Sequence, residues 1–218
     1  MPTDDCIDDP VAQQFEDRRQ QKHAALLGLW IFLSTELLLF GGLFLSFVMY
    51  RWRYPVEFAE AASHLDLLLG ALNTAILLTS GLLMVLAEQA VTERRRKLAF
   101  ALLVAVVAAG LLFLFIKGTE WHKEYSDNLM PIWGLTFRYP GEQADIAELF
   151  FNFYYVFTGL HALHLSVGLV LVSVIAARVW RWRSPGRLQR QTIMLGMYWA
   201  FIDIVWILMF TLLYLLRT

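Results

Sequence analysis

Residues 98–117 read LAFALLVAVVAAGLLFLFIK, nineteen residues without a charge, closed by one lysine. As a helix rising 1.5 Å per residue, this run covers about 30 Å, the thickness of a bilayer's hydrocarbon core. An apolar run of that length reads as a membrane span rather than a buried core helix. It does not alternate, as a barrel strand of about 10 residues would. Working outward, blocks of the same kind occupy 24–50, 66–91, 149–178 and 192–215. The expected fold is therefore all-α, a polytopic bundle of five transmembrane helices. A tail over 1–23 precedes a membrane domain over 24–218, whose one sizeable loop is 118–148. The longer blocks must tilt or run into the headgroups.

Composition agrees with this reading. Apolar residues make up 58% of the 218 and charged residues 17%, against about 25% charged in a soluble domain. The net charge of −1 gives no basis for a nucleic-acid surface. Cys6 is the only cysteine, so neither an internal disulfide framework nor a cysteine-based metal site is available. Asp4, Asp5, Asp8, Asp9, Glu16 and Asp17 crowd the tail, the reverse of a basic signal-peptide start. The first span is expected to serve as its own insertion signal.

Lysine and arginine predict the direction. Arg18, Arg19, Lys22, Arg94, Arg95, Arg96, Lys97, Arg178, Arg181, Arg183, Arg187 and Arg190 are twelve charges at one end of the spans. Arg51, Arg53, Lys117, Lys123, Arg138 and Arg217 are six at the other. The positive-inside rule places the N-terminus in the cytoplasm and the C-terminus on the periplasmic or outer side. Tyr50, Trp52 and Tyr54 close the first span, and Trp180 with Trp182 the fourth, where an interfacial belt needs amphipathic rings. In the 118–148 loop, Trp121, Tyr125 and Trp133 are too aromatic for a solvated linker. They predict contact with the membrane surface or a partner subunit. Glu120, His122, Glu124 and Asp127 read as an acidic surface, solvated or salt-bridged to a partner.

Ionisable groups at mid-membrane depth are costly and mark function or interhelical bonding. Glu36 on the first span, His161 and His164 on the fourth and Asp203 on the fifth fall at similar, central depth. Asn73 lies in the outer half of the second. Two readings are open: a shared polar cluster holding a proton pathway, a lipid headgroup or a partner helix, or simple interhelical hydrogen bonds. His161 and His164, three apart, share one helix face. The other histidines, His23, His64 and His122, lie at span ends or in the loop, so no opposing pair is available for haem. No metal site, catalytic triad or phosphate loop is expected in this chain.

These central residues carry a resemblance. Ser34-Thr35-Glu36 with Leu39-Phe40-Gly41, Leu72-Asn73-Thr74, and Thr158-Gly159-Leu160-His161-Ala162-Leu163-His164 with Gly168 are similar to signatures of subunit III of the haem–copper respiratory oxidases. So is Tyr198-Trp199-Ala200-Phe201-Ile202-Asp203-Ile204-Val205-Trp206, which carries alanine at position 200 where the family has histidine. The chain resembles the five-helix form of that family. The segment Glu120 to Gly141 is closer to the branch accompanying nitric-oxide reductases.

The resemblance implies a non-redox accessory subunit. It would pack mainly on subunit I, with subunit II in the same complex, while haem and copper stay in those partners. It would hold structural phospholipid, Glu36 mapping to the lipid-cleft carboxylate and His161, His164 and Asp203 to the polar residues of the last two helices. It would support sustained proton uptake while the complex reduces oxygen to water, with cytochrome c or quinol as donor. The implied location is the bacterial inner membrane, within the respiratory chain. The alternatives are an accessory or assembly subunit of a nitric-oxide reductase and a stand-alone small-solute transporter. Five unequal spans without an internal repeat or an interior proline speak against the transporter.

Overall fold

The computed structural model describes residues 18–127, 129–131, 144–182 and 185–216. Among them every regular element is helical: α1 (Arg18–Arg53), α2 (Pro55–Ser63), α3 (Leu67–Thr92), α4 (Arg96–Ser126), α5 (Ala144–Arg181) and α6 (Pro185–Phe210). The last continues into a π-helical turn, Thr211–Leu215. Five helices are long and apolar enough to cross a membrane: Arg19–Arg53, Leu67–Thr92, Arg96–Ser126, Ala144–Arg181 and Gly186–Leu215.

Breaks between helices follow local chemistry. Pro55 has no N–H to continue α1, so the chain turns at Tyr54 and restarts as α2 with the proline in its first turn. Asp66 caps α3, its Oδ1 accepting from the amides of Leu68 at 3.0 Å and Leu69 at 3.2 Å. Arg94 at φ 58° ends α3 and Trp182 at φ 48° ends α5, each in the left-handed region that favours glycine. Arg96 holds the second of these ends. Its guanidinium donates to the Trp180 carbonyl and lies 5.4 Å from the centroid of that indole.

Helices α3, α4, α5 and α6 form a ring in which α3 and α5 each touch both α4 and α6. Helix α1 lies outside this ring against α5 and α6, with Leu38 76% exposed on its far side. Short α2 is pinned at one end of the bundle by Phe58, fully buried 5.5 Å from Phe47 and 5.6 Å from Phe150, centroid to centroid. Phe47 also meets Phe153 edge-on at 5.7 Å and Phe157 at 5.9 Å. Edge-to-face pairs of this kind contribute about 0.5–1.5 kcal/mol each beyond area burial. That matters in lipid, where helix association relies on packing rather than on escape from water.

The segment expected as loop 118–148 begins later than its charges suggested. Helix α4 runs to Ser126 and α5 starts at Ala144, so residues 118–126 and 144–148 are helical. The cause is burial. Glu120 is 2% and Glu124 6% exposed, continuing the inward face of Gly110, Phe113 and Lys117. The reading of these two carboxylates as a solvated acidic surface is therefore corrected, while His122 and Asp127 do lie exposed.

Candidate functional site

The mid-depth residues do not form one cluster. On α1, the Glu36 Oε2 atom lies 3.0 Å from His164 Nε2 on α5. His164 Nδ1 lies 2.7 Å from the Leu160 carbonyl, which can only accept, so Nδ1 carries a hydrogen. Nε2 and Glu36 then share the remaining proton position, as carboxylate with imidazolium or carboxyl with imidazole. Both side chains are slightly open, 16% and 14% exposed, at the seam between α1 and the ring. The Phe40 ring lies 5.4 Å from the imidazole, and the Tyr198 hydroxyl donates to the His164 carbonyl at 3.0 Å. This pair is a polar tie between α1 and α5.

His161, although three residues away, turns inward. It is 1% exposed, its ring 5.6 Å from Phe113 and 5.2 Å from Trp206, and Nε2 has no partner among the described residues. The expected common face thus splits, His164 serving α1 and His161 the interior of the ring. Asp203 points to α3 instead, where a Cβ on Gly81 would collide with its Oδ2, and its Oδ1 has no partner among the described residues. Asn73 is fully buried, with both amide atoms likewise unpartnered. Its neighbours on α3 are engaged. Trp206 Nε1 donates to Thr74 at 3.0 Å and Trp199 Nε1 to Ser80 at 3.1 Å. Ala200, the departure from the resembled signature, is exposed on the outer face of α6 rather than in the buried layer.

The most completely bonded polar site was not expected. Lys117 Nζ on α4 donates to Glu120 Oε2 at 3.0 Å, the Tyr154 hydroxyl on α5 at 2.8 Å and the Tyr214 hydroxyl in the π-turn at 2.7 Å. Both hydroxyls pass their own hydrogens to Glu120 Oε1, at 3.1 Å from Tyr154 and 2.6 Å from Tyr214. All three ammonium hydrogens are used, and the ammonium lies 4.5 Å from the Tyr154 ring centroid. One turn on, Glu124 Oε2 accepts from Tyr155 at 2.9 Å, while Glu124 Oε1 and Trp121 Nε1 have no partner among the described residues. A spacing signal existed: 110, 113, 117, 120 and 124 follow the three-and-four rhythm of one helix face. By charge alone, lysine and glutamate read as residues outside the membrane.

Of the expected interface residues, Glu124 is therefore turned inward and unavailable to a partner. Tyr125 is 49% exposed, and Trp121 is half-buried with its ring 6.2 Å from that of Tyr155. Trp133 lies outside the described residues. Among the described residues no three or more histidine, cysteine, aspartate or glutamate side chains converge as metal ligands. Among the described residues the arrangement offers one hydrogen-bonded carboxyl–imidazole pair at a slightly open seam and one buried charge network.

Comparison with known proteins places this architecture. The family model for cytochrome c oxidase subunit III matches residues 16–217. Cytochrome c oxidase subunit 3 of Thermostichus vulcanus is 30% identical over 195 residues, covering 88% of this chain and 87% of that one. Cytochrome bo(3) ubiquinol oxidase subunit 3 of Buchnera aphidicola is 24% identical over 191 residues, covering 87% and 85%. A haem–copper oxidase subunit I+III of Aeropyrum pernix is 28% identical over 193 residues, which are 86% of this chain and 22% of that one. With nearly its whole length matched, the chain belongs to the cytochrome c oxidase subunit III family.

Proposed function

We propose that this chain is the non-redox accessory subunit III of a haem–copper oxidase, stabilising subunit I, holding phospholipid and supporting sustained proton uptake during oxygen reduction. The observation that carries it is the family match across residues 16–217. The relative that bears subunits I and III in one name supports subunit I as the main contact; subunit II belongs to the same proposed complex. Haem and copper reside in those partners, and electrons from cytochrome c or a quinol enter through them. The slightly open Glu36–His164 pair, between a sparsely packed α1 and the ring, is where a phospholipid acyl chain would meet the polar layer. The twelve-to-six bias of basic residues supports an N-terminus facing the cytoplasm of a bacterial inner membrane. Helices α3 to α6 run unbroken through mid-depth, unlike the interrupted helices of many transporters.

The test is purification from native membranes in mild detergent. The chain is expected to co-purify with a haem-bearing partner that consumes oxygen, and to show no haem absorbance once separated from it. A chain that purifies alone and moves a solute, or a complex that consumes nitric oxide but not oxygen, overturns this reading.

A further inference from the structure

We propose that one buried water molecule sits between Trp121 Nε1 and Glu124 Oε1 on α4 and joins both to Tyr155 on α5. The two atoms are one donor and one acceptor. Each is sealed from the surface, and neither has a partner among the described residues, so they do not bond to each other. Three residues apart on α4, their side chains share one side of the helix. Both lie against the same tyrosine. The Trp121 ring is 6.2 Å from that of Tyr155, and the Tyr155 hydroxyl donates to Glu124 Oε2 at 2.9 Å. Just beyond, the Leu129 amide donates to the Glu124 carbonyl at 3.0 Å and the Leu129 side chain is buried, so the chain folds back onto this end of α4.

The chemistry of the two ends selects the occupant. An indole N–H only donates, and a carboxylate oxygen accepts. A group between them must therefore accept from one and donate to the other. Ammonium has no lone pair for the indole hydrogen, and a halide has no hydrogen for the carboxylate. A metal cation would face the indole hydrogen, and among the described residues no three histidine, cysteine, aspartate or glutamate side chains converge as its ligands. Water does both, and its second hydrogen can go to the Tyr155 oxygen, whose own hydrogen is given to Glu124. That makes three hydrogen bonds, about the number an ordered buried water forms. Leaving the buried N–H and the carboxylate oxygen unbonded is costly. Lys117 does not relieve Glu124, because its three hydrogens go to Glu120, Tyr154 and Tyr214. The water thus carries the bonded polar seam between α4 and α5 one helical turn past Glu120.

The test is a density map of the full chain, with whatever partners it retains from native membranes, at a resolution that shows ordered buried waters. The expected result is one peak about 2.7–3.2 Å from both Trp121 Nε1 and Glu124 Oε1. Trp121→Phe keeps an aromatic ring but removes the N–H, and the peak is expected to be lost with it. A second measurement needs no map. The fall in unfolding midpoint caused by Trp121→Phe should be smaller in a Glu124→Ala background, where the water has already lost its acceptor. If Glu124→Ala does not accumulate, Tyr155→Phe takes its place, since it also removes a bond to the water. Four results overturn the proposal: an empty site in a map that resolves waters elsewhere in the bundle, a direct bond between Trp121 and Glu124, another side chain in that position, or an equal fall in both backgrounds. Neither measurement depends on which complex the chain serves.

Discussion

At Lys117 three ammonium hydrogens meet three oxygens within 3.0 Å, from α4, α5 and the π-turn. A buried ion pair gains little over a well-packed apolar replacement, but breaking one partner strands the other charge. Lys117→Met is therefore expected to destabilise the subunit by about 3–5 kcal/mol, read as a lowered unfolding midpoint in detergent. Lys117→Met with Glu120→Leu should recover much of that loss, because no charge is then left alone. A double variant no more stable than the single one would show that the network acts otherwise. Glu36 differs because its pair stands at a seam rather than in a sealed core. Glu36→Ala is expected to leave assembly largely intact while lowering bound phospholipid and activity over many turnovers. Lipid content and turnover number equal to the unmodified complex would refute this. Glu36 and Asp203 were legible as carboxylates placed midway along their spans. Their separation was not, since equal depth on two helices says nothing about azimuth.

Among the elements, the end of α6 depends on a missing side chain in α3. A Cβ at Gly70 would sit 2.9 and 3.0 Å from the Tyr214 ring and 3.1 Å from the Phe210 ring. Aromatic rings cannot yield as a flexible chain end does, so Gly70→Ala should push the π-turn away and loosen Tyr214 from Lys117. A cost of about 1–3 kcal/mol is expected, in the range of overpacking a filled core. Thermal unfolding of Gly70→Ala alone and combined with Tyr214→Phe checks it: if the turn is displaced, the two losses fall short of additivity. The glycines differ in what their missing side chains make room for. Gly41, Gly42 and Gly159 have open space where a Cβ would go, while Gly81 is a close approach. Element length was legible for α3 and for the first part of α4. The last turns of α4 were not, because buried Glu120 and Glu124 resemble surface residues in any count of charge.

For the whole molecule, orientation has a direct measurement. Cys6 is the sole thiol and precedes the first span. A membrane-impermeant maleimide should label it only after the inner membrane is opened, and labelling in intact spheroplasts would reverse the proposed topology. Five spanning helices, the length of their apolar runs and the family to which they belong were determined by the sequence itself. Hydrocarbon thickness sets the length of an uncharged run, and backbone groups in lipid must bond within their own helix. Which helix meets which was decided only by tertiary structure. Periodicity locates a face but not its partner. The ring of α3 to α6, the exclusion of α1 to its flank and the parting of His161 from His164 depend on how rings and glycines fit together. So does the Lys117 network, because only packing brings two tyrosines 37 and 97 residues away to one ammonium. Those oxygens give charged side chains a dry place that their chemistry alone would never predict.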